Sequence, residues 1–217
     1  MMNRFCTVFV GISLAAVVLL TACDGGGGGK KYGNHDFGDN DPNKVVALGD
    51  SITSGFVCDE ETQSYPSRIA GITGLTVLNA GKSGERSSDA AARTGNLLDK
   101  NKPGFLLVLT GHNDAIFDRD VDDVLGNIRS IINSAKGRKV IPIVGTLVPI
   151  GSPRSFATGP ALAYSAGIRA LAAELDVPLV DIEKEFGSDP ASLQCDGLHP
   201  NDQGSAIIAA AFADKLP

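Results

Sequence analysis

Short apolar runs alternate with longer amphipathic stretches from residue 44 to the end of the 217-residue chain. Five runs have the length and the branched side chains that are typical of buried parallel strands, and Gly, Asn and Asp bound them. These runs are residues 45–48, 75–78, 105–109, 140–144 and 179–182. The pattern therefore predicts five strands. Pro142 lies inside the fourth run and would remove a donor from a strand ladder, so we expect that strand without fixing its bounds.

The stretches between the later runs have helical periodicity. Apolar residues recur there at steps of three and four positions. They are Val121, Val124, Leu125, Ile128, Ile131 and Ile132, then Tyr164, Ile168 and Leu171, and finally Ile207, Ile208, Ala211 and Phe212. Strands that alternate with helices imply right-handed crossovers, so the chain is predicted to form an α/β fold, a three-layer α/β/α sandwich around a parallel sheet.

The N-terminus has a different pattern. Arg4 precedes 13 largely apolar residues, 8–20, which are too few for a membrane-spanning helix of about 20 residues and are typical of an export signal. The letters LTAC at residues 20–23 resemble the lipoprotein box of bacteria, in which the signal is cut before a cysteine that carries lipid. We predict a lipoprotein signal peptide over residues 1–22 and a lipid anchor on Cys23. The alternative is an ordinary secretory signal that happens to contain a cysteine.

Residues 23–43 have little apolar surface to bury, since they contain a run of five glycines and many polar residues. They are predicted to form a flexible tether, in which His35 is a solvated linker residue. The folded domain is then expected to span residues 44–217. Asp24 resembles an inner-membrane retention signal, so we expect the protein in the bacterial cell envelope, anchored through Cys23 and facing the periplasm.

Composition excludes some classes of partner. The chain has 19 basic and 25 acidic side chains, a formal net charge of −6, and its basic residues are not clustered. This balance gives no electrostatic reason to bind nucleic acid, and no such partner is expected. At 43% hydrophobic residues the chain has enough apolar surface for a folded core. We expect a monomer.

Polar segments follow the predicted strands, at the edge where ligands bind in sheets of this kind. The segments are GDSIT at residues 49–53, NAGKSG at 79–84, GHND at 111–114 and, near the C-terminus, DGLHP at 196–200. A serine nucleophile needs a base, a carboxylate that orients the base, and donors for the developing oxyanion. These four segments contain all three kinds of group.

The base follows by elimination, because the chain has only three histidines. His35 lies in the predicted tether, and His112 lies in a tight turn beside Asn113, which suits the site better. His199 remains, with Asp196 three residues earlier on the same side of one turn. Asp196 can then accept from Nδ1 of His199 while Nε2 faces the nucleophile. A surface pair of Asp196 and His199 is the structural alternative.

Ser51 is the candidate nucleophile because it follows a strand and opens a helix. Its backbone N–H and that of Gly84 can point at an anion, and Asn113 adds a side-chain N–H. Gly84 also permits close approach of a substrate because it lacks a Cβ. Each residue has a structural alternative: Ser51 as a helix cap, Gly84 as a residue of positive φ, Asn113 in an Asx turn.

The four segments together resemble the signature blocks of the SGNH hydrolases, also called GDSL esterases and lipases, over about residues 44–217. The resemblance implies a flavodoxin-like sheet in the order 2-1-3-4-5. It also implies roles for five residues: Ser51 as nucleophile, Gly84 and Asn113 as oxyanion donors with the Ser51 amide, His199 as base and Asp196 as its orienting acid. Family members hydrolyse carboxylic esters, including acetylated sugars, lysophospholipids and thioesters. His112 replaces a Thr or Gly that is common in the family, and Glu85-Arg86 replaces a frequent Asp-Thr.

No cofactor or metal is expected. Residues 81–83 resemble the end of a phosphate-binding P-loop, but Thr76 stands where that motif needs glycine. Residues 118–129 begin like a calcium loop, but Asp123 and Arg129 occupy its glycine and glutamate positions. A solvated acidic entry to a helix is the better interpretation.

Two cysteines remain after the signal and the predicted lipid anchor are set aside. Cys58 lies seven residues after Ser51, and Cys195 directly precedes Asp196. A fold that brings the serine to the histidine also brings these thiols together, and exported proteins mature in an oxidising compartment. We predict a Cys58–Cys195 disulfide. Two unpaired, small apolar side chains are the alternative.

Substrate choice is the least determined property. The chain has no long insertion for a lid, and the loop around residues 151–156 is its one sizeable variable wall, which indicates an open site for a short acyl group. Arg154 in that loop is expected to be a surface residue, or else to meet an anionic leaving group. We expect an esterase for small esters or O-acetylated carbohydrate. The alternatives are a lysophospholipase or thioesterase and, in another class, a catalytically silent lipoprotein that binds glycan or scaffolds envelope proteins.

Overall fold

A five-stranded parallel sheet in the order β2-β1-β3-β4-β5 forms the centre of the protein in a computed structural model, which describes residues 31–55, 58 and 63–217. The strands are β1 (Asp41–Gly49), β2 (Thr76–Gly81), β3 (Pro103–Leu109), β4 (Ile141–Gly145) and β5 (Leu179–Val180). The predicted fold and strand order are confirmed. The predicted signal peptide and Cys23 lie outside the described residues.

Helices pack on both faces of the sheet. They are α1 (Ser51–Ser54), α2 (Tyr65–Thr73), α3 (Ser87–Asn101), α4 (His112–Ile116), α5 (Val121–Lys136), α6 (Thr158–Glu174), α7 (Ile182–Glu185) and α8 (Asp202–Ala213). Helices α2 and α8 pack together in one layer, and α3, α5 and α6 in the other. No helix of the described residues has the length and apolarity that crossing a bilayer requires.

The two central strands carry the core. All seven residues of β3 and the last five of β1 are buried, and Leu48 pairs with Val108 in the parallel register. Burial on both faces explains why these strands appear in the sequence as continuous apolar runs. Their carboxyl ends, at Gly49 and Leu109, bring two of the polar segments side by side.

Helix α5 buries the stripe that its periodicity predicts. The buried residues are Val124, Ile128, Ile131, Ile132 and Ala135. The carboxylate of Asp120 caps the helix and accepts from the N–H groups of Asp122 and Asp123 at 2.8 and 3.4 Å. The acidic run therefore begins a helix, where carboxylates also interact favourably with the helix dipole.

Pro142 is accommodated inside β4. The N–H of Val144, two residues later, points to the β5 side of the strand and donates to the carbonyl of Pro178. The nitrogen of Pro142 lies on that same side, before β5 begins at Leu179, so no ladder hydrogen bond is lost. Strand β5 is shorter than predicted because Asp181 caps helix α7 directly after it.

The N-terminal segment corrects the predicted boundary at residue 44. The rings of Tyr32 and Phe37 lie 5.2 and 5.6 Å from the ring of Phe105, and β1 already begins at Asp41. His35, expected to be a solvated linker residue, has Nε2 3.0 Å from the carbonyl oxygen of Lys139. Residues 31–43 therefore pack on the domain, because two aromatic side chains in a polar run find apolar partners at the amino ends of the strands.

Candidate active site

Ser51 is held at the carboxyl end of β1 by a tight turn into α1. The carboxylate of Asp50 caps this turn and accepts from the N–H of Ile52 at 3.0 Å. Gly49 is required at the end of the strand, because a Cβ there would lie 2.2 Å from the carbonyl oxygen of Leu109 and from Oγ1 of Thr53. The serine is thereby presented from a rigid corner of the sheet.

Three side chains form a continuous chain across the site. Ser51 Oγ lies 2.9 Å from Nε2 of His199, and Nδ1 of the same ring lies 2.8 Å from Oδ2 of Asp196. An ionised Asp196 accepts from Nδ1–H, which directs the lone pair of Nε2 toward the serine hydroxyl. The structure thus brings together three side chains that the sequence places up to 148 positions apart.

Asp196 is well supplied with donors. Its Oδ1 accepts from the backbone N–H groups of His199 at 2.8 Å and Leu198 at 3.1 Å. Burial raises the pKa of the Asp196 carboxyl, but the hydrogen bonds and the charge of His199, with the Leu198 N–H, outweigh burial, and its pKa lies below the ordinary value. The group therefore stays a carboxylate wherever the protein is folded near neutral pH.

Arg154 is a partner of Asp196, which differs from the expectation of a solvated surface residue. Its Nη1 lies 3.2 Å from Oδ2 of Asp196 and also donates to the Asp196 backbone carbonyl. The loop after β4 is fastened to the same segment, since the N–H of Gly151 donates to the carbonyl of Gly197 at 2.8 Å. A Cβ on Gly197 would lie 2.1 Å from the carbonyl oxygen of Ser152, so this contact needs glycine.

The candidate oxyanion donors lie at the ends of β2 and β3, on either side of Ser51. Gly84 has φ +79° and open space where a Cβ would point. Asn113 uses one N–H of its side-chain amide to donate to the carbonyl of Glu85 at 2.9 Å. This bond fixes the orientation of the Asn113 amide, and the second hydrogen of the amide can then donate to another acceptor.

Charged side chains that sequence reasoning missed hold these loops. The buried carboxylate of Glu85 accepts from Nε and Nη2 of Arg93 at 2.6 and 2.5 Å. Asp114 accepts from the N–H and the hydroxyl of Ser87, both at 2.8 Å, which ties the loop after β3 to the start of α3. No sequence spacing identifies such pairs, because the partners come from different elements.

His112 is enclosed and cannot face a substrate. Its Nδ1 lies 3.0 Å from Oδ2 of Asp50, and its Nε2 accepts from the N–H of Val148 at 3.0 Å. Only 1% of the His112 surface is exposed. Both ring nitrogens are occupied inside the protein, which agrees with its exclusion as the base.

A disulfide joins Cys58 to Cys195, with 5.7 Å between the Cα atoms and 137 positions between the residues, as predicted. The N–H of Cys195 donates to the carbonyl of His199 at 3.1 Å. The bridge therefore connects the region after the nucleophile to the segment that carries the base. Within the described part of the chain, no cluster of His, Cys, Asp and Glu is arranged to hold a metal ion.

Known proteins resemble this chain in sequence and in fold. The profile of the "GDSL-like Lipase/Acylhydrolase family" matches residues 47–207. The chain is 29% identical over 175 residues to "Thioesterase 1/protease 1/lysophospholipase L1" of Escherichia coli K12, covering 79% of this chain and 82% of the relative. It is 26% identical to "Arylesterase" of Vibrio mimicus, covering 80% and 88%.

One solved structure with a similar fold is a catalytic mutant of an acetylxylan esterase from Geobacillus stearothermophilus. Its TM-score is 0.69 at 22% sequence identity, and the match covers 79% of this chain and 93% of that one. At this identity the likeness establishes a shared fold.

Proposed function

This chain belongs to the GDSL-like lipase/acylhydrolase family and is a carboxylic ester hydrolase, and on that premise we propose that it is a serine esterase for small acyl esters or O-acetylated carbohydrate. Ser51 is the nucleophile, His199 the general base and Asp196 the acid that orients it. Gly84, Asn113 and the Ser51 amide bind the oxyanion. The observation that carries the proposal is the hydrogen-bonded chain from Ser51 Oγ through His199 to Asp196.

The reaction has two acyl-transfer steps. His199 Nε2 takes the hydroxyl proton as Ser51 Oγ attacks the ester carbonyl, and the negative charge develops on the carbonyl oxygen. The alcohol leaves with the proton from Nε2, and an acyl-enzyme on Ser51 remains. Water repeats the sequence, so that the carboxylic acid leaves and the serine is restored. Asp196, held ionised by its donors, stabilises the imidazolium that forms in each step.

Hydrolysis of p-nitrophenyl acetate by the purified protein tests the nucleophile. Ser51→Ala and His199→Ala are expected to lower kcat by about 10⁴-fold or more, since the chain of hydrogen bonds acts as one unit. Ser83→Ala is the matched control, because this serine lies in the neighbouring loop, is exposed, and has its Oγ 3.1 Å from Ser54 Oγ. Full activity in Ser51→Ala would refute the assignment.

The acyl preference is proposed to be short. The acetylxylan esterase with this fold supports that class of substrate. The relative from Escherichia coli, a thioesterase and lysophospholipase by name, supports the alternative of longer acyl groups. Two exposed aromatic side chains follow β3 and β4 along the chain, Phe117 at 61% and Phe156 at 68% exposure, and offer apolar surface for such groups.

A substrate panel separates the two classes. We expect kcat/KM to fall from acetyl to octanoyl and longer p-nitrophenyl esters, and we expect release of acetate from acetylated xylo-oligosaccharides. A preference that rises with chain length, together with hydrolysis of lysophospholipid, would favour the alternative.

We propose further that the signal peptide is cut before Cys23, which is lipidated and holds the enzyme in the bacterial envelope as a periplasm-facing monomer. The LTAC sequence and the glycine run after it support this. Radioactive palmitate is expected to label the protein, and globomycin to block its processing. A freely secreted, unlabelled product would contradict the proposal.

A further inference from the structure

His112 lies where three loops of the active-site edge meet. It is the first residue of α4 and directly precedes Asn113, so it belongs to the loop after β3. Its partner Asp50 directly precedes Ser51 at the end of β1, and its other partner, Val148, lies in the loop after β4. One imidazole thus connects the segments that carry the nucleophile and an oxyanion donor to the wall of the site.

The hydrogen bonds fix the protonation of this ring. A backbone N–H can only donate, so Nε2 of His112 must accept from Val148 and carries no proton. A neutral imidazole then has its proton on Nδ1, where it donates to Oδ2 of Asp50. Asp50 in turn accepts on Oδ1 from the N–H of Ile52, in the turn that presents Ser51. Donation therefore converges on Asp50, from Nδ1–H of His112 on one side and from the N–H of Ile52 on the other, and every bond in the network has one donor and one acceptor.

Burial makes this network costly to break. Asp50 and His112 are 0% and 1% exposed, so water is not available to replace a lost partner. A buried carboxylate that loses a donor, or a buried N–H that loses an acceptor, is left with its full desolvation cost. The three loops are therefore locked at one relative position as long as the tautomer is kept.

We propose that His112 is a positioning residue of the esterase reaction: the neutral ring, protonated on Nδ1, sets the placement of Asn113 and of the Ser51 turn relative to each other. It acts through these groups and touches neither the substrate nor the reacting atoms. This inference rests on the proposed function, because its catalytic effect is exerted through Asn113 and Ser51. A residue that only filled space would tolerate any change that preserves its shape.

Nuclear magnetic resonance of protein labelled with ¹⁵N-histidine tests the tautomer directly. At neutral pH the signals that vanish in His112→Gln are expected to show a protonated Nδ1 and an unprotonated Nε2. A ring protonated on Nε2, or on both nitrogens, would overturn the proposal. The measurement needs no substrate, so its outcome is independent of whether Ser51→Ala abolishes activity.

Kinetics of Asp50→Asn tests the positioning role without changing volume. In one orientation the NH₂ group of the new amide faces Nδ1–H of His112, which needs an acceptor. In the other orientation the NH₂ group faces the N–H of Ile52, and that hydrogen bond is lost. We expect kcat for p-nitrophenyl acetate to fall by about 10- to 100-fold, the scale of a small misplacement of catalytic groups, while KM stays within about twofold. Asp99→Asn is the matched control, because Asp99 also accepts from a side-chain N–H, that of Arg138, but is exposed at the other end of the sheet.

A double-mutant cycle decides whether the effect passes through the oxyanion donor. If Asp50 and His112 act by placing Asn113, then Asp50→Asn costs little more once Asn113 is already alanine, and the losses are not additive. Additive losses, or an unchanged kcat in Asp50→Asn, would overturn the proposal. Should Asp50→Asn fold poorly, His112→Gln enters the same cycle, because its side chain can still accept from Val148 while losing the bond to Asp50.

Discussion

Different interactions hold the chain at the two ends of the sheet. At the carboxyl ends, buried ionisable side chains have hydrogen-bond partners in other elements; among them are Asp50, Glu85, His112 and Asp114. At the amino ends, Tyr32 and Phe37 pack on Phe105, and the ion pairs nearby, such as Arg138 with Asp99, are exposed to solvent.

This difference shows what a catalytic edge requires. Apolar packing closes the amino ends with contacts that tolerate small shifts, because dispersion and burial are not directional. Buried charges are stable only with well-aligned partners, so they hold loops in one arrangement at a considerable desolvation cost. Changes at the carboxyl ends are therefore expected to affect activity and changes at the amino ends to affect stability alone. Three predictions test this contrast, and a fourth compares a partly buried ion pair with an exposed one.

The disulfide should give the largest effect on stability. Replacing Cys58 and Cys195 by serine frees a loop of 137 positions and is expected to lower the free energy of unfolding by about 4 kcal/mol. Because the bridge adjoins the segment of His199, kcat should fall as well. Urea denaturation with a parallel assay measures both. An unchanged unfolding midpoint would show that the bridge does not constrain the chain.

Asn113→Ala should give the largest purely catalytic effect among these changes. Loss of one oxyanion donor is expected to lower kcat by about 10²- to 10³-fold with little change in KM. Asn101→Ala is a suitable control, since Asn101 donates to the carbonyl of Leu97 at 2.8 Å at the end of α3, next to the amino end of β3. Equal losses in the two variants would remove Asn113 from the site.

Phe37→Ala should separate the amino ends from catalysis. The ring is only partly buried, so the cost is expected to be about 1 to 2 kcal/mol in unfolding free energy, below that of a fully buried phenylalanine. The kcat should remain within about twofold of the original, because the ring packs at the amino ends of the strands and the catalytic segments lie at the carboxyl ends. A fall in kcat as large as that of Asn113→Ala would break the contrast between the two ends.

Asp181 should give the smallest effect, and one that depends on pH. Hydrogen bonds from Arg169 lower the pKa of the Asp181 carboxyl against the effect of partial burial. The carboxylate therefore stabilises the fold above the ordinary pKa of about 4, and this contribution is lost as pH falls through the lowered pKa of the folded state. Asp181→Asn should cost about 1 kcal/mol at pH 7, since solvent screens the pair, and the two proteins should converge in acid.

Thermal unfolding of Asp181→Asn and of Asp99→Asn at a series of pH values measures this difference. Asp99→Asn should show no resolvable change at any pH, because its ion pair is exposed. A difference between Asp181→Asn and the original protein that grows on acidification would contradict the assigned direction of the pKa.

The sequence predicts the architecture well because buried strands and helices have apolar patterns that can be recognised in consecutive residues. Strands β1 and β3 are continuous apolar runs, and α5 repeats its apolar stripe at helical steps, so each can be recognised from neighbouring positions. The meeting of Ser51 with His199 can also be anticipated, since both follow recognisable motifs at one edge of a parallel sheet.

The sequence does not predict contacts between residues that are far apart along the chain and that only the fold brings together. Nothing around Arg154 indicates that it binds Asp196, and nothing near Asp50 indicates a bond to His112. The N-terminal boundary is missed for a related reason: the polar composition of residues 31–43 hides Tyr32 and Phe37, whose partner Phe105 lies far along the chain. Such pairings depend on tertiary geometry and leave no periodicity.

The docking of the N-terminal segment has a consequence for how the enzyme would be oriented. Residues 32 and 37 pack at the amino ends of the strands, whereas Ser51 follows the carboxyl end of β1, so polypeptide that precedes Lys31 joins the domain on the side opposite the catalytic edge. With the proposed lipid on Cys23, the seven residues 24–30 could extend at most about 25 Å, less than the domain's diameter of about 40 Å. The Ser51 hydroxyl would then face away from the bilayer. Esters that are dissolved in the periplasm or carried on its polymers would reach it more readily than the lipids of the membrane that holds the anchor.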